Sequence, residues 1–370
     1  MLTFSEYESA WSNYWFQYVI IMDNDSGELD QYNYYYNLSK NSNVTWNLVR
    51  KYPHFPWDYD GLSENPNITW DIVHQHPDKP WDYDGLSENP NITWDIVQKN
   101  PDKPWNYGVL SSNSNITWEI VQRNPDKPWM YYYYGLSGNP NITWENVQQK
   151  PDELWDYNIL SENLNITWDI VQQNPDKPWD YVRLSGNPSV VTWEIVRQHP
   201  DKPWDYARLS ENPSVATWDI VQQNPDIPWS YSWLSANPSV AITWDLVRQN
   251  IDKPWNYYML SRNPRITTWE IVQQNPYIPW DYFGLSENTN IDWAIVQQNP
   301  DIWSRYLLSV NPMTLAKQKY ILQLRQLDFT KSALKEELMM NRFHPKYMEK
   351  WVGWGFVEEE VEEKEVEPLY

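Results

Sequence analysis

The sequence predicts an all-α fold: an α-solenoid of about eleven ~24-residue repeats, each two short helices, with a helical C-terminal cap. Three observations predict it. Trp recurs in two registered series, a Pro closes most half-repeats, and capping residue types stand next to those prolines.

The first series runs Trp46, Trp70, Trp94, Trp118, Trp144, Trp168, Trp193, Trp218, Trp244, Trp269, Trp293. The second runs Trp57, Trp81, Trp105, Trp129, Trp155, Trp179, Trp204, Trp229, Trp255, Trp280, Trp303. Spacing within a series is 23 to 26 residues, and the two use 22 of the 27 Trp in the 370-residue chain. One compact core has little room for that many indoles, whereas a stack of units can bury its own set in each. The chain also holds 27 Tyr and 29 Pro, against 10 Gly and no Cys.

Each unit divides again. The halves TWDIVQQNPDKPW and PWDYDGLSENPNITW share a pattern of Trp, acid, aliphatic residue, Asn or His, then Pro. The aliphatic residue lies four positions before the Pro in both, as Val73 before Pro77 and Leu86 before Pro90. The column after the Pro holds Asn67, Asn91, Asn141, Ser189, Ser214 and Ser239 in one turn. In the other it holds Asp78, Asp102, Asp126, Asp152, Asp176, Asp201 and Asp226. These are interchangeable helix N-caps, and we read both columns as such. Asp71, Asp95 and Glu119 then fall in the first turn, where the helix dipole favours negative charge. Pro80 fits the same turn, where its missing N–H costs nothing. Trp70 and Val73, three apart, share a helical face. A β-solenoid or β-propeller is the competing reading; a propeller blade needs about 40 residues, and the shorter period, frequent Pro and scarce Gly favour helices. Helices of two turns are unstable alone, so stability must come from stacking neighbours through Trp, Val and Leu.

In chain order, residues 1–33 show no clean unit and form an N-terminal cap region, and 34–312 form the solenoid. Its first segment, Tyr34 to Asn41, matches the second half-repeat without its Trp. Two residues are inserted within Met130 to Tyr134, and units from Ser189 onward gain one or two before the Trp. In 313–357 the residues Leu315, Ile321, Leu322, Leu324, Leu327, Leu334 and Leu338 have helical spacing. FHPKYMEKWVGWGF closes the last apolar face, and the charged run 358–370 reads as a disordered acidic tail.

The formal net charge of −22 opposes nucleic acid, whose phosphates reward Lys and Arg. It opposes an anionic membrane surface equally, and it suits a basic protein partner. Without Cys there are no disulfides, thiolate nucleophiles or Cys zinc sites. The apolar run Trp15 to Met22 has no basic flank and is too short to span a bilayer. The expected location is therefore not secreted.

Catalytic signals are weak. His54, His74, His76 and His199 occupy repeat turns, where other units carry Asn, Gln or Asp, and His344 lies beyond the repeats. The acids recur in every unit rather than forming a pair in two environments. We expect no enzyme, no cofactor and no metal. Asn37, Asn43, Asn67, Asn91, Asn115, Asn141 and Asn165 form Asn-x-Ser/Thr sequons that read as repeat grammar, while Asn24 is a chance match. Tyr59, Tyr83, Tyr107, Tyr157, Tyr181 and Tyr206 stand two residues after the second Trp. Residues two apart do not share a helical face, so this Tyr ladder is either interunit packing or a partner surface.

The unit NPNITWDIVQQNPDKPWDY and the closing FHPKYMEKWVGWGF resemble Trp-rich tandem-repeat proteins of giant DNA viruses of amoebae, mimivirus-like and relatives, over roughly residues 38–356. The resemblance carries over no catalytic or binding residues. It implies a viral protein acting in the host cytoplasm or in the virion. The expected function is a non-enzymatic protein–protein interaction scaffold with an acidic, aromatic-rich solenoid surface. A structural virion component and a glycan-binding repeat protein are the alternatives.

Overall fold

Eleven helices of six residues begin on the first Trp of each unit, from Trp46–Lys51 to Trp293–Gln298. We call these the Trp helices. The other half-repeat gives the Tyr helices, such as Tyr59–Glu64 and Tyr83–Glu88, shortened to four residues in Tyr107–Leu110 and Tyr157–Leu160. In the inserted unit the Tyr helix shrinks to one 3-10 turn, Leu136–Gly138. The structure, a computed structural model, describes residues 3–23, 31–238, 242–299 and 302–342, and it is all-helical over them, with no strand. The helical repeat solenoid is therefore the observed architecture.

The caps differ from the expected ones. The Thr just before the Trp takes the N-cap position of every Trp helix but the last, where Asp292 replaces it, and in six of them its side chain makes the cap bond, as when Thr117 Oγ accepts from Ile120 N–H (3.4 Å). Each regular Tyr helix is capped by the residue just after the second Trp, as when Asp82 accepts from Gly85 N–H (2.6 Å). The residues after the prolines lie outside the helices because the chain still has a turn to complete there. The Asn67 backbone N–H donates to Asn65 Oδ1, and its side chain donates to Ser42 O (2.7 Å) and Val44 O (2.9 Å) of the preceding unit. Asp78 sits in an exposed turn beside Lys79 (3.0 Å). Pro80 lies ahead of the helix Tyr83–Glu88 and its cap Asp82, outside the first turn. Ser239 lies outside the described residues. Asp71, Asp95 and Glu119 do fall in first turns.

The chain divides into two compact units, Ser9–Lys317 and Met1–Glu8 with Gln318–Tyr370. In the smaller one, Tyr7 donates to Asp328 (3.0 Å), and Arg325 lies over its ring (5.5 Å).

The larger unit is a solenoid that closes on itself. Leu-Ser-x-Asn occurs twelve times, from Leu38-Ser39-Lys40-Asn41 to Leu308-Ser309-Val310-Asn311. Leu, Ser and Asn are buried in all twelve. Each Asn side chain donates backward to carbonyls of the preceding unit: Asn65 to Ser39 O (2.7 Å) and Asn41 O (2.9 Å), Asn89 to Ser63 O (2.8 Å) and Asn65 O (3.0 Å). Asn41, in the first copy, donates to Ser309 O (2.6 Å) and Asn311 O (3.2 Å) of the last. The ladder therefore has no end, and twelve units complete a ring. Ser works forward: Ser63 Oγ accepts Asp82 N–H of the next unit (2.9 Å) and donates to Tyr59 O (2.7 Å).

Neighbouring Tyr helices make the closest helix–helix packing, including that between Gln31–Lys40 and Arg305–Val310 across the closure. All units share one angular step, so the elements that approach most closely lie at the smaller radius. Tyr helices line the inside and Trp helices form the outer layer. Ten outer joints pair the first Trp of one unit with the second Trp of the next, for example Trp70 with Trp105 at 5.4 Å and Trp168 with Trp204 at 5.5 Å. There are twelve inner positions and eleven Trp helices. Phe16, from the helix Phe4–Asp23, stacks on Trp57 (5.1 Å, 22°) where a preceding Trp helix would otherwise supply the partner.

Candidate functional site

With the polar ladder and aromatic layer committed to packing, three surfaces of the ring remain for function. The first is the sequence-singled Tyr ladder. Tyr59, Tyr83, Tyr107, Tyr157, Tyr181 and Tyr206 are each half-buried, with the ring edge-on to the second Trp of the next unit. Centroid distances run from 5.2 Å for Tyr59–Trp81 to 6.5 Å for Tyr206–Trp229, a geometry that adds to simple burial. Burial raises the phenol pKa of Tyr59, Tyr83, Tyr157 and Tyr181, and a lysine of the next turn opposes the rise. The ladder is thus interunit packing whose exposed edges face the Asp78–Lys79 type of turn.

The second surface is the outer belt. Asp71, Asp95, Glu119, Glu145, Asp169, Glu194, Asp219, Asp245 and Glu270, second residues of the Trp helices, are all exposed. Asp78, Asp102, Asp126, Asp152, Asp176, Asp201, Asp226 and Asp252 add an exposed carboxylate in the adjoining turns. Six of these turn acids meet only the lysine next in sequence, at 3.0 to 3.6 Å. That lysine holds the carboxyl of Asp78, Asp102 and Asp126 below its usual range.

The third is the inner wall. In Tyr59–Glu64, Gly61, Leu62 and Ser63 are buried and Tyr59 turns to the Trp layer, which leaves positions 60 and 64 facing the lumen; position 61, a buried Gly here, is taken by the half-exposed Arg183 and the exposed Arg208 in later units. Equivalent positions vary strongly between units, so the wall is uneven in charge. Asp60, Glu64, Asp84 and Glu88 make one arc acidic, and Arg183, Arg208 and Arg262 stand on another. At two joints the wall tightens. Tyr36 OH donates to Glu64 (2.6 Å), which also pairs with Lys40, and Tyr258 OH donates to Glu287 (2.6 Å), which pairs with Arg262 (2.7 Å). Burial, then the Glu64 bond, pushes the Tyr36 phenol well up.

No family model, curated protein or solved structure matches this chain. The surfaces must therefore be read from their own chemistry. Among the described residues no group of three or more His, Asp and Glu is placed to hold a metal ion, and no helix is long and apolar enough to cross a membrane. His76 and His199 lie against Trp46 (4.8 Å) and Trp168 (5.0 Å), and His74 against Trp70 (6.3 Å). The sequon Asn91 uses its amide for two interunit bonds, to Pro66 O (2.7 Å) and Ile68 O (3.1 Å); His344 and Asn24 lie outside the described residues. Sequence reasoning missed the Ser–Asn ladder and the ring. Their signal was the invariance of Leu-Ser-x-Asn across twelve copies, one more than the Trp pairs.

Proposed function

We propose that the protein is a non-enzymatic scaffold that binds a basic protein partner along the outer belt of its ring. The observation that carries this is the exposed acid in second position on nine of the eleven Trp helices. A helix dipole favours such an acid, but does not require a second exposed row in the turns beside it. Held at fixed spacing, the two rows offer repeated equivalent charges, which steer and retain a basic surface through many weak contacts. The half-exposed edges of the Tyr ladder adjoin the turn row and add aromatic contact area. The test is titration with a lysine-rich peptide, in wild type and in an Asp71→Lys, Asp169→Lys, Asp219→Lys variant. The scaffold reading expects binding that weakens with salt and falls about tenfold or more in the variant, about 1.4 kcal/mol. Unchanged affinity sinks it.

The resemblance to giant-virus repeat proteins extends the proposal to a viral chain acting in host cytoplasm or in the particle. Mass spectrometry of purified particles and of infected-cell cytosol separates those places. Glycan binding is favoured by one observation. Tyr132, Tyr133 and Tyr134 of the inserted unit are 55%, 60% and 55% exposed and offer an aromatic platform. Retention on a glycan array, lost in Tyr133→Ala, would support it over the acidic belt.

A further inference from the structure

The turn row of the outer belt changes character part-way round the ring. In six turns a lysine follows the acid and pairs with it, as Lys79 does with Asp78 (3.0 Å). After Asp226 that position is held by Ile227. Asp226 and Asp219, both exposed, pair with no cation among the described residues. A hollow of about 520 Å³ opens beside them, with apolar walls from Trp218, Val221, Ile227, Pro228, Trp229 and Tyr231. The outer joint there is wide, Trp218 lying 6.1 Å from Trp255 against 5.4 Å for Trp70–Trp105. The Trp118–Trp155 joint is equally wide at 6.1 Å, but its turn keeps Lys127, which pairs with Asp126 (3.1 Å).

We propose that this hollow receives an aromatic side chain carried by a lysine- or arginine-rich segment of the partner protein, a site that rests on the outer-belt reading and gives it a register. Repeated equivalent charges hold a basic chain anywhere along the belt. One apolar hollow among them holds it at a single place, since a buried aromatic anchor concentrates binding energy where scattered rim charges do not.

Lining and rim select different chemistry. Lys253 stands in the lining, with Asp252 3.6 Å away, so a cation placed inside would face a like charge and the anchor itself is uncharged. The rings of Trp218, Trp229 and Tyr231 favour an aromatic partner, which gains edge-on contact beyond its burial. The rim is acidic. Asp219 follows Trp218 in its helix, and Asp226 stands between the lining residues Pro225 and Ile227. With Asp252 they set three carboxylates against Lys253, while the next cation along the belt, Arg248, is taken by Asp245 (3.2 Å). Ile251, beside the lining residue Asn250, is 45% exposed and extends the apolar floor past the rim. Residues two apart on an extended chain point the same way, so cations two positions either side of the anchor reach the rim carboxylates.

The experiment is fluorescence anisotropy of the fluorescein-labelled peptides Lys-Lys-Ala-Phe-Ala-Lys-Lys and Lys-Lys-Ala-Ala-Ala-Lys-Lys, added to the full chain at low salt. Glu-Glu-Ala-Phe-Ala-Glu-Glu is run beside them. The Phe peptide is expected to bind wild type about tenfold more tightly than the Ala peptide of equal charge, as burial of one ring provides. That advantage should vanish in Ile227→Lys, which installs the residue six other turns carry and so keeps the fold, as circular dichroism checks. It should persist in Gln173→Lys, which adds the same charge at an exposed position elsewhere on the belt. The proposal is overturned if the Phe peptide has no advantage, if the advantage survives Ile227→Lys, or if the Glu peptide binds as tightly. An Ala peptide that binds while Phe adds nothing removes the anchor and leaves the belt standing, whereas no binding by either lysine peptide removes both.

Discussion

The side chain of Asn41 donates to the carbonyl oxygen of Ser309 at 2.6 Å, across 268 residues of chain. Asn65 does the same to Ser39 at 2.7 Å and Asn311 to Ser286 at 2.8 Å, so the bond that closes the ring is an ordinary rung of its ladder. This separates a ring from an open stack. In an open solenoid the terminal unit has one neighbour and frays first.

Asn41→Leu should therefore destabilise the protein as much as Asn89→Leu does. Each removes a donor to buried carbonyls of a neighbouring unit, two for Asn41 and three for Asn89, and the acceptor for a backbone N–H, those of Asn43 and Asn91 respectively. Buried groups left unsatisfied cost about 1–3 kcal/mol each. Urea midpoints read both. A near-wild-type midpoint for Asn41→Leu beside a large loss for Asn89→Leu would mean the closure contributes nothing.

Asn41 also shows where the sequence was legible. Period, helix content and the aromatic layer follow from spacing alone, because Trp46 and Trp81 can meet in only a few stackings of so short a unit. Closure depends on the angle added per unit, set by side-chain packing at every joint, and no single repeat encodes it. The cap register failed for a related reason. Asn67 and Thr69 are both good caps, and the choice is made by the preceding unit, whose carbonyls claim the Asn67 side chain. Lumenal charge was hidden in the x of Leu-Ser-x-Asn, whose variability reads as a loop until it is placed between a buried Ser and a buried Asn.

Gly61 and Gly186 should respond oppositely to alanine. A Cβ on Gly61 would stand 2.3 Å from Tyr36 O, so the first inner joint must widen or break. Gly186 meets nothing closer than Arg208 Cδ at 3.9 Å. Gly61→Ala should cost about 1–3 kcal/mol as an overpacked contact, whereas Gly186→Ala should gain about 0.5–1 kcal/mol by stiffening the unfolded chain. Thermal melts check both signs. Equal effects would show that the Tyr helices do not approach as described.

Alkaline pH should unfold the ring through its tyrosines. Burial raises the folded-state pKa of Tyr36, Tyr59, Tyr83, Tyr131, Tyr157 and Tyr181 above the ordinary value near 10, with the Glu64 bond adding to it at Tyr36, and at Tyr258 the bond to Glu287 leads and burial adds to it. A raised folded pKa means the native state holds its proton more tightly than the unfolded chain. The stability it contributes is whole below pH 10 and is lost as pH climbs through the raised values. Tyrosinate absorbance and far-ultraviolet dichroism, followed together, should change in one step above pH 10. Ionisation of most tyrosines with the helices intact contradicts the buried ladder.

The inserted unit tests how much of the ring's regularity is needed. Tyr131 keeps its ladder contact with Trp155 (5.1 Å, 90°), so the two extra residues bulge out within Tyr132 to Tyr134. Tyr133 sits at φ 56°, a left-handed backbone that costs a bulky L-residue about 1–2 kcal/mol. Tyr133→Asn should relieve part of that and raise stability by about 0.5–1 kcal/mol, since Asn enters this region more readily. Gly135 holds the base of the bulge, where a Cβ would lie 2.1 Å from Met130 O, so Gly135→Ala should destabilise. Denaturant midpoints decide between this and a relaxed loop. If Tyr133→Asn lowers stability, the tyrosine ring itself, packed edge-on to Tyr134 at 4.8 Å, outweighs the backbone strain.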